Sequence, residues 1–132
     1  MSEAIVYIDR SEVREGRLDE LKRAMRDLAA LVEANEPWLA AYRVYFTEDG
    51  TQMTIIHMHA DSASLEQHMR IAGPAFPRFV ELVRLLSIDV YGKPSGVLMQ
   101  AIRDKAALLG SATVTLHEIG AGFARPGGGD TG

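Results

Sequence analysis

The chain has 132 residues, 47% of them hydrophobic and 24% charged, with a net charge of -4, a size that predicts one domain burying roughly 65 to 70% of its unfolded surface. It has no cysteine, which excludes disulfides, thiolate nucleophiles and thiolate metal sites. Without grouped Lys and Arg a nucleic-acid partner is not expected, and no apolar run approaches the about 18 residues of a membrane helix.

Met1-Ser2-Glu3-Ala4-Ile5 lacks a basic region and leads directly into a strand pattern, so no secretory signal and a cytoplasmic location are expected. Residues 4–10 form a β-branched and aromatic run that reads as a first strand. From Gly16 the period becomes helical, with Leu18, Leu21, Met25, Leu28, Ala29 and Val32 recurring at three and four until Asn35-Glu36-Pro37 stops the run. Two strand-like runs, 41–46 and 53–59, flank Thr47-Glu48-Asp49-Gly50-Thr51, with Gly50 suited to a left-handed turn position. Asp61 or Ser62 caps a second helix over about 62–71. Gly73-Pro74 interrupts it, Phe76 to Arg84 resumes helical spacing, and 85–91 alternates as a fourth strand. An appendix follows: a helix over about 95–109, a Gly110 cap and a last strand over 112–119. The order βαββαβ predicts an α+β, ferredoxin-like fold with a C-terminal helix and strand. The domain is expected to span 1–124, with its core at 4–91 and the extension at 95–123, before a flexible tail at 125–132.

Strand alternation sorts these residues onto two faces. Ala4, Val6 and Ile8 of the first strand and Leu86, Ile88 and Val90 of the fourth form a purely apolar set, which is expected to lie against the helices. The other face collects Ile5, Tyr7, Asp9, Met53, Ile55, His57, His59, Ser87, Asp89 and Tyr91. A three-residue loop, Glu48-Asp49-Gly50, would add Arg43 and Tyr45 to it and keep Arg43 out of the core; a two-residue turn at Asp49-Gly50 would swap the sets. This second face carries too much apolar area for a monomer to expose. A homodimer is therefore expected, with two sheets enclosing a cavity and His68 at its rim.

Three segments carry a resemblance: Val13-Arg14-Glu15-Gly16-Arg17-Leu18, Trp38-Leu39-Ala40-Ala41-Tyr42-Arg43-Val44-Tyr45, and His59-Ala60-Asp61-Ser62 leading to Leu65 and His68. They resemble the antibiotic biosynthesis monooxygenase type of dimeric α+β barrel. The resemblance implies two ferredoxin-like protomers packed sheet to sheet around a ligand pocket. It also implies a strand-end role for His59, where many relatives have tryptophan, and a helix position often held by histidine at His68. Haem-degrading relatives use an asparagine at the position of Asp9, but their axial histidine has no counterpart in Gly73-Pro74-Ala75-Phe76-Pro77-Arg78, so haem is not expected.

The function so implied is cofactor-independent oxygenation of a small aromatic, polyketide-like or quinol-like substrate. This chemistry needs a base, an apolar pocket and donors for developing charge. His57 or His59 supplies the base, because imidazole titrates near pH 6.5 and burial keeps it neutral. Arg43 and Asp9 complete the expected catalytic set. Tyr7, Tyr45, His68, Phe76, Asp89 and Tyr91 are the expected substrate contacts. No flavin, nicotinamide or P-loop glycine pattern is present, and no cofactor is expected. A metal held by the His-x-His pair plus a third His or Asp9 is the less favoured alternative, since same-face imidazoles are common without one. A non-catalytic binding or structural dimer remains the alternative function.

Overall fold

The computed structural model describes residues 4–123 and 125; of the expected tail only Arg125 falls among the described residues. The elements are β1 (Ile5–Val13), α1 (Leu18–Asn35), β2 (Ala41–Phe46), β3 (Gln52–His59), α2 (Ser62–Ala72), a 3-10 segment (Gly73–Glu81), β4 (Val83–Tyr91), α3 (Gly96–Leu109) and β5 (Thr113–His117). The strands form one sheet in the order β2-β3-β1-β4-β5. The first four pair antiparallel, and β5 joins parallel to β4 through the helical crossover that parallel neighbours require. This is the expected α+β ferredoxin-like arrangement with its appended helix and strand.

Local chemistry sets the helix limits. In α1, Leu21, Ala24, Met25, Leu28 and Val32 form the buried stripe, and Pro37 prevents continuation. The Asp61 side chain accepts from Ser64 N at 2.9 Å at the start of α2, and Ser95 Oγ accepts from Leu98 N at 3.1 Å at the start of α3. Each cap is worth about 1 kcal/mol. Gly110 ends α3 with φ +143°, a conformation in which a side chain would also press on the Leu85 backbone. The stretch expected to resume as a helix to Arg84 is instead a 3-10 turn containing Pro74 and Pro77, ending at Glu81. Val83 and Arg84 belong to β4, where they pair with Val13 and Glu12.

The hairpin register differs from the preferred expectation. Val44 pairs with Ile55 and Phe46 with Met53, the pairing of the alternative turn centred on Asp49-Gly50. The Asp49 carboxylate explains the choice: it accepts from Thr51 N, Thr51 Oγ1 and Thr47 Oγ1 at 3.0, 2.7 and 2.8 Å. Gly50 takes φ +73° beside it.

The face assignment is also corrected. The helices cover Ile5, Tyr7, Asp9 and Ser11 of β1 and Met53, Ile55, His57 and His59 of β3, all buried. A register shift between Arg10 and Ser11 lets Val83 and Leu85 join Ile88 and Val90 on this side. Val6, Ile8, Ile56 and Met58, expected or implied to belong with the core, lie on the uncovered face. The polar residues accept burial because groups on the helices pair with them, and those partners are invisible to strand periodicity.

Candidate functional site

Two linked polar clusters lie between the sheet and the helices. His57, on β3, stacks on Tyr7 of β1 with ring centroids 4.2 Å apart and lies 4.6 Å from the His68 ring of α2. Its Nδ1 is 2.6 Å from His59 Nε2, and His59 Nδ1 is 2.8 Å from Ser64 Oγ. Two neutral arrangements satisfy both contacts: hydrogens on the two Nδ1 atoms, donated to His59 Nε2 and to Ser64 Oγ, or Ser64 Oγ donating to His59 Nδ1 and His59 Nε2 donating to His57 Nδ1. In the first, His57 Nε2 keeps its lone pair. His68 Nδ1 sits 3.0 and 2.9 Å from the two oxygens of Glu36, the residue that ends α1.

The second cluster is a triangle. Tyr7 donates its hydroxyl to Asp9 Oδ2 at 2.8 Å, and Lys105 Nζ from α3 donates to the Tyr7 oxygen at 2.8 Å and to Asp9 Oδ2 at 2.9 Å. The ammonium also lies 4.7 Å from the centre of the Phe76 ring. Tyr7, Asp9, His57 and His59 are at most 1% exposed, and Lys105 is 8% exposed. Among the described residues no buried side-chain nitrogen or oxygen lacks a partner.

Burial, helped by the neighbouring His68, His59 and Lys105, holds the His57 pKa well below that of free imidazole. Burial and His68 bring His59 down to about 3. Both rings are therefore neutral near pH 7. Burial and the adjacent Asp9 carboxylate push the Tyr7 phenol well above its usual range, so it remains a donor. Asp9, Tyr42, His57, His68, Phe76 and Lys105 line a cavity of about 30 Å³, room for one or two water molecules.

Of the expected site residues, the fold brings together Tyr7, Asp9, His57, His59, His68 and Phe76, with His68 fully inside rather than at a rim. It separates the other four. Arg43 and Tyr45 lie on the uncovered face, bonded to each other at 3.4 Å, because the observed register turns Tyr42 inward in their place. Asp89 and Tyr91 occupy the same uncovered face, where His117 Nε2 contacts Asp89 at 2.8 Å and stacks on Tyr91 at 4.2 Å. The cavity is thus bounded by helices, not by a second sheet. Lys105, Glu36, Tyr42 and Ser64 complete the cluster without having been singled out. Lys105 had a legible signal: it falls on the α3 stripe of Leu98, Ile102 and Leu109, where a lone ammonium is out of place. Glu36 had none, being one more acidic residue before a proline. Among the described residues no group of three or more His, Asp or Glu side chains is arranged to hold a metal ion.

The order of elements and the covered sheet face define a ferredoxin-like α+β fold, which the chain shares with solved structures of the antibiotic biosynthesis monooxygenase type. MupZ from Pseudomonas fluorescens is similar over 95% of this chain and 97% of its own, with a TM-score of 0.72 and 18% identity. SnoaB from Streptomyces nogalater, a cofactor-independent oxygenase, matches 71% of this chain and 96% of its own, at 0.59 and 14%. A protein from Bacteriodes thetaiotaomicron provisionally assigned as an antibiotic biosynthesis monooxygenase matches 63% of this chain and 83% of its own, at 0.53 and 21%. No protein-family model and no curated protein matches the chain.

Proposed function

We propose that the protein is a cofactor-independent monooxygenase acting on a small aromatic, quinol-like molecule, with His57 as the base and Lys105 as the counter-charge. The observation that carries this reading is a fully buried, neutral imidazole beside an ammonium in one cavity. His57 Nε2 takes the proton of a substrate hydroxyl while Nδ1 stays bonded to His59. A strongly lowered pKa opposes this transfer in isolation, but the phenolate forms beside the imidazolium and each charge stabilises the other. Lys105 has used two of its three N–H donors, and the third serves the substrate oxygen. The electron-rich ring then reduces dioxygen: a carbon–oxygen bond forms at a ring carbon bearing hydrogen, giving a hydroperoxide. That carbon loses its proton, the O–O bond breaks, and water leaves as the quinone forms. One substrate and one O₂ give one quinone and one water. Lys105 takes the role expected of Arg43, which lies on the other face.

Oxygen uptake with a panel of hydroxynaphthalenes and anthrones tests the assignment. His57→Gln should lower turnover by about 10²-fold or more; unchanged turnover removes His57 as the base. The small cavity supports a second reading, in which the buried network only fixes the packing and the protein turns nothing over. Absence of uptake with every member of the panel favours that reading.

The uncovered face supports a homodimer. Tyr45, Met58 and Tyr91 are 46%, 43% and 37% exposed there, beside half-buried Val6, Ile8 and Ile56, a contiguous apolar band of the kind monomers seldom expose. A second copy packed sheet to sheet would cover it. Light scattering behind size exclusion should give twice the 14.5 kDa chain mass; a monomer at micromolar concentration overturns the dimer.

A further inference from the structure

The internal cavity measures about 30 Å³, whereas an aromatic ring requires on the order of 150 Å³. If the proposed function is right, the substrate must occupy more space than the cavity now offers. The seam between α1 and β2 offers it. Here the helix layer thins: Tyr42, Val44 and Phe46 are only half-buried, while Met53, Ile55 and His57 of the neighbouring strand are buried. Outside the seam runs a groove of about 310 Å³. Met25 and Tyr42 line both the groove and the internal cavity, so these two side chains form the wall between them. The Tyr42 ring is held by packing against His57 and His68, at 5.5 and 5.7 Å, and its hydroxyl makes no hydrogen bond among the described residues. Swinging it aside breaks no polar contact.

The groove also has a charge character. Ala29, Val44 and Phe46 make its floor apolar, and the side chains that complete it are Lys22 and Arg26, one helical turn apart. No carboxylate lines it. Neither cation forms an ion pair among the described residues; Lys22 instead lies 5.5 Å over the Phe46 ring. Two unpaired cations at the mouth of an apolar slot fit a ligand with a flat apolar head and an anionic tail. Arg26 also lines the wider groove on the other side of Tyr42, together with Glu33 and Glu36, whereas Lys22 does not, which places the anion at the Lys22 end.

We infer that the substrate is an aromatic molecule bearing an anionic group, bound through the α1–β2 seam with its ring beyond Tyr42 and its anion on Lys22 and Arg26. The inference rests on the cavity reading of the proposed function, so the test separates the two. Fluorescence titration compares 6-hydroxy-2-naphthoate with 2-naphthol, which shares the ring system but lacks the carboxylate. The naphthoate should bind roughly five- to tenfold tighter at low salt, with the advantage shrinking as salt screens the exposed cations. Lys22→Ala/Arg26→Ala should bring the two affinities together through loss of naphthoate binding. Tyr42→Ala should speed association of both probes. Equal affinities in the unsubstituted protein, or a preference that survives the double substitution, overturn the anion assignment and leave the cavity reading standing. An unchanged association rate in Tyr42→Ala overturns the entry route. Failure of both probes to bind overturns the inference and the cavity reading together.

Discussion

The two faces of the sheet are made by the same strands and obey opposite rules. Facing the helices, β1 and β3 present Tyr7, Asp9, His57 and His59, all within 1% of full burial. Facing away, they present Val6, Ile8, Ile56 and Met58. A strand optimised only for folding would reverse this, since an apolar residue gains by burial what a polar one must recover from partners. Such an inversion is expected where the interior works on a ligand and the exterior meets another protein. The buried side is held by specific partners on the helices, and the uncovered side mixes apolar side chains with pairs such as Arg43–Tyr45 and His117–Asp89.

The largest predicted effect lies on the buried face. Lys105→Met leaves the Asp9 carboxylate buried without its cation, and urea unfolding should show a loss of about 3 to 5 kcal/mol. Asp9→Asn/Lys105→Met should recover most of that, because the double variant leaves no unpaired charge. A single-variant loss under about 1 kcal/mol would mean that Asp9 is not effectively buried.

Acidity should distinguish the faces next. His57 and His59 have lowered pKa values in the folded protein, so the unfolded chain binds protons that the native state refuses. Their contribution is complete above pH 6.5 and is lost as the pH falls below it, for His59 toward a folded value of about 3. Between pH 7 and 5 His59 should cost about 2 kcal/mol of stability, and His57 adds a loss in the same direction. His57→Gln/His59→Gln should flatten that slope; an equal slope in the variant assigns the acid sensitivity to other groups.

The smallest effect on folding belongs to the uncovered face. Met58→Glu should change monomer stability by no more than about 0.5 kcal/mol. If two copies pack through this face as proposed, it should also dissociate them, read by light scattering, since it sets a charge within the apolar band.

The sequence carried the order of elements, the helix caps at Asp61 and Gly110 and the grouping of Tyr7, Asp9, His57, His59 and His68, because these rest on short-range periodicity and local hydrogen bonds. It did not carry the orientation of the sheet. Lys105 lies 96 residues from the Asp9 it neutralises, and Glu36 lies 32 from His68; period-two alternation reports that Asp9 and His57 share a face but not which one. The register of β2 was lost for a similar reason. It depends on three hydrogen bonds to the Asp49 carboxylate, and a choice between two turns that differ by one residue inverts Tyr42 and Arg43. Lys105 alone among the missed residues was readable, as an ammonium on an otherwise apolar helix stripe.

The methionines offer the most direct test that ligand chemistry belongs to the helix-covered face. Met25 and Met53 line the internal cavity, and Met58 stands on the opposite side of the same sheet at 43% exposure. In a sample with ¹³C-labelled methionine methyl groups titrated with 6-hydroxy-2-naphthoate, the Met25 and Met53 signals should shift with saturation while Met58 stays in place. Saturable shifts at Met58, with Met25 and Met53 unmoved, would put the ligand between sheets and contradict the account.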